Sequence, residues 1–185
     1  MKRKILNVMP ECYVDTNLIE YLLDGVVNHQ HCFSKVVGQL NNTFADKFAI
    51  GIIDKDKVEL GYIHACDEIA KTGHLTLLKH KSRHQYLITI SPAVDKFVLD
   101  SAKEQGVDTE KYNLPSTLKE FTKISKSVTS NTDERFKNLF AAINGNSEFR
   151  ALKRTLEYLL DKQYNTDVSE LTRIFGGEII QVACI

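Results

Sequence analysis

The hydrophobic pattern of the chain centres on a nearly continuous apolar run at residues 47–53, which ends in two aspartates, Asp54 and Asp56. Short apolar runs bounded by polar residues are typical of strands that are buried on both faces, as in a parallel sheet. Residues 5–9 form a second run of this kind, closed by Pro10. The pattern therefore predicts two buried strands in the first third of the chain.

Between these two runs, the apolar positions recur at helical spacing. Asp15 is placed to cap a first helix, whose apolar stripe extends from Leu18 to Val26. Ser34 is placed to cap a second helix, whose stripe extends to Phe44. The order strand, helix, helix, strand is the pattern of a parallel α/β unit.

The middle of the chain predicts a hairpin followed by a helix. Residues 74–78 and 85–90 are rich in strand-forming residues and flank a basic turn. Residues 66–71 are interpreted as a short helix before the hairpin. Ser91 and Pro92 are interpreted as the N-cap and first residue of the helix after it, which Gly106 ends.

The last third of the chain predicts helices. Capping signals at Thr117, Ser130 and Asp167 precede apolar stripes at helical spacing, and residues 178–185 are a candidate terminal strand. The predicted fold is α/β, with a mostly parallel central sheet flanked by helices. We expect an α/β domain at residues 1–106 and a helical C-terminal extension at residues 107–185 packed on it.

Composition narrows the function classes. The 185 residues are 43% hydrophobic and 26% charged, which suits one globular domain. Because the net charge is zero, nucleic-acid binding would need a local basic patch. The four cysteines have no framework spacing, so they predict reduced thiols in a cytoplasmic protein. No apolar run approaches the length of a membrane span, so no membrane association is expected.

Four acidic residues follow the two predicted buried strands. Glu11 and Asp15 come after the first strand, and Asp54 and Asp56 come after the central strand. Carboxyl ends of neighbouring parallel strands share one edge of a sheet and lie about 4.8 Å apart. Clustered carboxylates raise each other's pKa, and a divalent cation offsets that repulsion. The arrangement predicts a site for Mg²⁺ or Mn²⁺, which prefer oxygen ligands.

These residues resemble a known family. An apolar strand, the motif Glu11-Cys12-Tyr13-Val14-Asp15, an apolar helix and a second strand ending in Asp54-Lys55-Asp56 together look like the Toprim domain. Topoisomerases, bacterial primases, recombination proteins and the OLD-type nucleases share that domain. The resemblance covers about the first half of the chain. One departure is Cys12, since family members usually have glycine directly after the glutamate.

The resemblance implies an activity. It implies Mg²⁺-dependent or Mn²⁺-dependent phosphodiester cleavage on nucleic acid, with DNA favoured over RNA. Glu11 would serve in acid/base chemistry or as a metal ligand, and Asp54, Asp56 and Asp15 would bind metal. Small Toprim proteins of antiphage defence islands match this chain in size, which implies a partner ATPase of the ABC or OLD type. A homodimer is also compatible with the resemblance.

The basic turn is a candidate phosphate-binding element. Lys79, Lys81 and Arg83 are candidate phosphate ligands, and Lys81 and His84 are candidate catalytic groups. Lysine or arginine can hold a scissile phosphate and stabilise its developing charge. The plainer interpretation of the same residues is a solvated hairpin tip.

Other interpretations stay open. Asp-x-Asp also occurs in haloacid-dehalogenase-like phosphatases, which makes a Mg²⁺-dependent phosphatase an alternative. Glycosyltransferases use Asp-x-Asp too, but nothing else in the sequence suggests a sugar-nucleotide site. The clusters His29-Gln30-His31-Cys32 and His64-Ala65-Cys66 contain zinc-ligand residue types, without the usual spaced pairs. The chain could also be a catalytically inactive Toprim-like interaction or regulatory module, because fold does not fix function.

Overall fold

The computed structural model describes residues 2–55 and 60–176, so Asp56 and the predicted strand at residues 178–185 lie outside the described part of the chain. The strands are β1 (Arg3–Ile5), β2 (Val8–Pro10), β3 (Gly25–Val27), β4 (Ala49–Asp54), β5 (Cys66–Lys71), β6 (Leu75–His80) and β7 (Gln85–Ile90). The helices are α1 (Tyr13–Leu23), α2 (Phe33–Asn41), α3 (Leu60–His64), α4 (Val94–Glu104), α5 (Leu118–Ser125), α6 (Glu134–Ile143), α7 (Ser147–Lys162) and α8 (Val168–Phe175).

A five-stranded sheet in the order β2-β4-β7-β6-β5 forms the centre of the molecule. β2, β4 and β7 are parallel, whereas β6 and β5 are antiparallel to their neighbours. Every residue of β4 is buried, as its apolar sequence predicts. The predicted α/β class with a mostly parallel sheet flanked by helices is therefore confirmed.

The first predicted strand is divided in two. β1 pairs with β3 in a separate two-stranded sheet, while β2 joins the central sheet. The prediction of one strand at residues 5–9 was wrong because Leu6 lies in a turn with 55% of its side chain exposed. Hydrophobicity alone cannot show that an apolar side chain faces solvent at such a turn.

Some predicted element boundaries also need correction. The N-cap of α1 is Cys12, and Asp15 lies in the first helical turn. Residues 66–71 form edge strand β5, with a bulge in its pairing with β6, rather than a helix. The N-cap of α4 is Ala93 rather than Ser91. In contrast, the capping signals at Thr117 and Asp167 do mark the N-caps of α5 and α8.

Helices cover both faces of the sheet. α2 packs on one face through Val36 and Leu40. The larger core on the other face joins β4 and β7 to α1 and α4–α7 and contains an aromatic cluster. In that cluster the Phe97 and Phe149 rings stack with centroids 4.9 Å apart. The division of the chain at residue 106 stays a prediction.

No helix within residues 2–55 and 60–176 is both long and apolar enough to cross a bilayer.

Candidate functional site

Glu11 and Asp54 lie side by side at the carboxyl edge of the parallel strands. The Glu11 amide donates to the Ile52 carbonyl, 3.0 Å away, which extends the pairing of β2 with β4. The Asp54 amide donates to Glu11 Oε2 at 3.2 Å, and Asp54 Oδ1 accepts from the Val94 amide at 3.0 Å. The structure therefore brings these two carboxylates together, and backbone donors fix their orientation.

Asp15 completes an acidic cluster with Glu11 and Asp54. It is fully buried, and its Oδ2 accepts from the Cys12 amide at 3.1 Å. Among the described residues, its Oδ1 has no hydrogen-bond partner. Burial raises the pKa of Asp15 well above its ordinary value, and the charges of Asp54 and Glu11 raise it further. An isolated negative charge is therefore costly at this position.

The donor chemistry of the cluster fits a hard divalent cation. Glu11, Asp15 and Asp54 offer only carboxylate oxygens. Within the described part of the chain, Asp15 Oδ1 lacks the partner that a buried anionic oxygen requires. Asp56, the fourth predicted ligand, lies outside the described residues. Within residues 2–55 and 60–176, no group of three or more His, Cys, Asp or Glu side chains already has the geometry of a bound ion. The ligand set is therefore inferred from chemistry and proximity.

Cys12 directly follows Glu11 and is the N-cap residue of α1. Its backbone is extended, with φ −118° and ψ 179°, which any residue can adopt. Burial raises the pKa of its thiol, and the charges of Asp15 and Asp54 raise it further. Cys12 is therefore a neutral thiol that the backbone accommodates without strain.

The basic turn lies at the opposite end of the sheet. Ala49, at the start of β4, pairs with Gln85, and Asp54 pairs with Ile90. The six residues of β4 span about 17 Å, which exceeds the reach of a lysine or arginine side chain. The expectation that the turn complements the carboxylates was wrong. The turn connects β6 to β7 at the end of the sheet where β4 begins, whereas Asp54 lies where β4 ends.

The side chains of the turn have other neighbours. Lys81 Nζ donates to the His64 carbonyl at 3.1 Å, and Arg83 Nη1 donates to Asn41 Oδ1 at 2.8 Å. The His84 ring lies 5.0 Å from the Tyr164 ring, and Lys79 Nζ donates to a neighbouring backbone carbonyl. These contacts fit the plainer interpretation of a hairpin tip.

Sequence reasoning gave too little weight to His29 and His31, which the structure places at the carboxyl edge. The chain after β3 runs beside β2, since the Asn28 amide donates to the Val8 carbonyl at 3.0 Å and the Gln30 amide to the Pro10 carbonyl at 3.1 Å. The two imidazoles are in contact, with His29 Nε2 2.9 Å from His31 Nδ1. The signal in the sequence is the short run Gly25-Val26-Val27, which forms β3, whereas helical spacing predicts that Val26 belongs to the stripe of α1.

A second polar cluster joins the β5–β6 turn to two helices. His74 Nδ1 lies 2.6 Å from Glu148 Oε2, and its Nε2 lies 2.9 Å from Asp100 Oδ2. Lys96 also donates to Asp100, and Thr72 to Glu148. Because carboxylates only accept, both ring nitrogens must donate, which requires a charged imidazole. Burial lowers the pKa of His74, but these hydrogen bonds outweigh burial and hold it above 6.5.

This network predicts a pH-dependent contribution to stability. The raised pKa of His74 means that its contribution is complete below pH 6.5 and is lost as the pH rises through the folded-state value. The net lowered pKa of Glu148 and of Asp100 means that their contributions are lost only in acid. We expect His74→Gln to lower the thermal midpoint most between about pH 5 and 6.5, and progressively less at higher pH.

Thermal melts from pH 5 to 9 would test this, with His64→Gln as the matched control, because His64 is exposed. A midpoint difference between wild type and His74→Gln that stays constant over this range would contradict the charged network.

Comparison with known proteins gives no relative. No model of a protein family, no curated protein and no solved structure matched the chain.

Proposed function

We propose that this chain is a Toprim-like, divalent-metal-dependent phosphodiesterase that cleaves nucleic acid. One observation carries the proposal: the buried Asp15 Oδ1, which has no hydrogen-bond partner among the described residues, lies in a cluster with Glu11 and Asp54. The order of the elements supports it, since Glu11 follows β2 and Asp54 is the last residue of the parallel neighbour β4. This is the order on which the resemblance to Toprim domains rests.

The proposed site assigns a role to each described carboxylate. Glu11, Asp15 and Asp54 would hold Mg²⁺ or Mn²⁺, and we propose Asp56 as a further ligand. When bound, such an ion neutralises phosphate charge and lowers the pKa of coordinated water. Glu11 and Asp54 are held in place by backbone donors, which keeps their oxygens oriented without reorganisation. Exposed Lys55, directly after Asp54, offers a cation for the phosphate backbone.

A second candidate function follows from the burial of the same carboxylates. At most 5% of Glu11, Asp15 or Asp54 is exposed, which also suits a cation that stabilises a non-catalytic interaction module. The two functions agree on metal binding and differ on cleavage. Measuring metal binding and cleavage on the same protein preparation therefore distinguishes the two functions.

The test combines thermal melts with plasmid nicking. We expect Mg²⁺ or Mn²⁺ at about 100 times its Kd to raise the free energy of unfolding by about 2.7 kcal/mol. We expect nicking of supercoiled plasmid that EDTA stops, with DNA and RNA oligonucleotides distinguishing the substrates. Stabilisation without cleavage, alone or with a co-purifying ATPase, would favour the interaction module. If the metal ions cause no stabilisation and no cleavage is seen, both functions are refuted.

The Asp15→Asn variant distinguishes the effect of the buried carboxylate on stability from its proposed role in metal binding. The asparagine carbonyl can still accept from the Cys12 amide, while its amide group removes repulsion towards Asp54 and Glu11. We expect the variant to be more stable than wild type in EDTA by about 1–2 kcal/mol, because a neutral amide replaces a buried carboxylate beside two other carboxylates. We also expect the stabilisation by Mg²⁺ to be lost.

The matched control is Asp167→Asn, at the exposed N-cap of α8, where asparagine also keeps the capping bonds. It should leave both measurements unchanged. An Asp15→Asn protein that is less stable in EDTA, or that keeps the full response to Mg²⁺, would contradict the role of Asp15.

A further inference from the structure

The two contacting histidines lie at the same edge of the sheet as the carboxylates. His31 directly follows the residue whose amide bonds to Pro10, and Pro10 directly precedes Glu11. Tyr13, the first residue of α1, packs against both imidazoles, with ring centroids 4.6 Å from His29 and 5.7 Å from His31. β2 therefore has the histidine pair on one side and Asp54 on the other.

The hydrogen bonds of Thr16 determine the tautomer of His29. The Thr16 hydroxyl donates its proton to the Cys12 carbonyl at 2.8 Å. Its oxygen lies 2.8 Å from His29 Nδ1, so it must accept there, and His29 carries a proton on Nδ1. Burial lowers the pKa of His29, and His31 lowers it further, so His29 is neutral and its Nε2 is an acceptor.

The same logic determines the tautomer of His31. His31 Nδ1 lies 2.9 Å from the acceptor Nε2 of His29, so it must donate its proton there. A neutral imidazole has one proton, which leaves the lone pair on His31 Nε2. His31 is exposed, and no hydrogen bond to its Nε2 occurs within the described residues. This series of hydrogen bonds, from the Cys12 carbonyl through Thr16 and His29 to His31, therefore leaves the basic Nε2 of His31 facing solvent at the carboxyl edge.

We propose that His31 is the general base of the phosphodiester hydrolysis, with His29 and Thr16 as positioning residues. This role rests on the proposed function of the carboxylates. A water oxygen forms the new bond to phosphorus while one water proton passes to His31 Nε2. The bond from phosphorus to the leaving oxygen breaks, and its electron pair stays on that oxygen, which takes a proton from solvent. His31 then returns its proton to solvent.

Nitrogen NMR of labelled protein tests the positioning directly and needs no activity. We expect neutral His31 to carry its proton on Nδ1. We expect His29→Phe, which keeps a ring against Tyr13 and removes the acceptor, to release His31 from that single tautomer. His64, which is exposed at the far end of the sheet, serves as the internal reference. A wild-type His31 that carries its proton on Nε2 would overturn the proposal.

Cleavage rates test the chemistry. We expect His31→Gln to lower kcat about 10²–10⁴-fold, which is the size of a general-base contribution. The stabilisation by Mn²⁺ should stay unchanged. We expect Thr16→Val to lower kcat by a smaller factor and Thr16→Ser to restore it, because serine keeps the hydroxyl. His64→Gln should cleave as wild type does.

The outcomes separate this role from the proposed function. A wild-type protein that binds Mn²⁺ and cleaves nothing overturns the function, and the role of His31 with it. An active wild type whose His31→Gln variant cleaves equally well overturns the role of His31 alone. Loss of Mn²⁺ stabilisation in His31→Gln would also overturn it, because His31 would then be part of the metal site.

Discussion

Replacing Glu11 with glutamine should lower the rate of metal-dependent cleavage about 10²–10⁴-fold, because a proposed metal ligand loses its charge and a bound ion supplies several kcal/mol of transition-state stabilisation. Glutamine keeps the size of the side chain, and its carbonyl oxygen can still accept from the Asp54 amide. The change therefore removes the charge of Glu11 with little effect on the fold. Asp54→Asn should act similarly, since its carbonyl oxygen can still accept from the Val94 amide.

Plasmid nicking at saturating Mn²⁺, with thermal melts of each variant, would measure this effect. Glu157→Gln is the matched control, because Glu157 is exposed on α7 and should not affect the rate. If Glu11→Gln and Asp54→Asn both cleave at the wild-type rate, the carboxylates are not the site. If both lose cleavage and keep the metal-induced stabilisation, Asp15 and Asp56 become the principal candidate ligands.

Replacing Phe149 with alanine should lower the free energy of unfolding by about 3–5 kcal/mol, the usual cost of removing a buried phenyl ring. Phe149 is 1% exposed and stacks on Phe97 of α4, while Phe140 of α6 lies 6.2 Å away. The lost ring would leave a cavity where the C-terminal helices meet the helix that follows β7. We therefore expect the sheet and the C-terminal helices to lose stability together.

Denaturant unfolding followed by circular dichroism and by tyrosine fluorescence would show whether the sheet and the C-terminal helices unfold together. Tyrosine fluorescence is suitable because the chain has seven tyrosines and no tryptophan. Val128→Ala, at a residue with 66% of its surface exposed, should change the free energy of unfolding by less than about 0.5 kcal/mol. Two separate transitions in Phe149→Ala would indicate that residues 1–106 and 107–185 unfold independently, as a division into domains allows.

The central strand and the pairing of Glu11 with Asp54 could be predicted from the sequence because each depends on local rules. An apolar run buried on both faces identifies β4, and the shared carboxyl edge of parallel strands places the two carboxylates together. The position of the basic turn could not be predicted in this way. It depends on the order of β7 and β6 in the sheet and on the direction of each strand, and residue spacing carries neither.

The histidine pair shows a second limit of sequence reasoning. Val26 fits the apolar stripe of α1 by spacing, yet Asp24 adopts a left-handed conformation with φ 44° and ends the helix. The next residues form β3, which leads the chain along β2 to His29 and His31. A helix that includes Val26 ends too late for the chain to follow this path. Helical spacing therefore does not predict that the two histidines lie near Glu11.

The edge strand β5 bears on how the protein behaves at high concentration. An open sheet edge can pair with the edge of another copy and begin a growing β-aggregate. The outer positions of β5 carry exposed charges at Asp67, Glu68 and Lys71, and a bulge interrupts its register with β6. Both features disfavour edge-to-edge pairing. We therefore expect the folded chain to resist open-ended polymerisation through this edge, even though its net charge of zero gives little overall repulsion between copies.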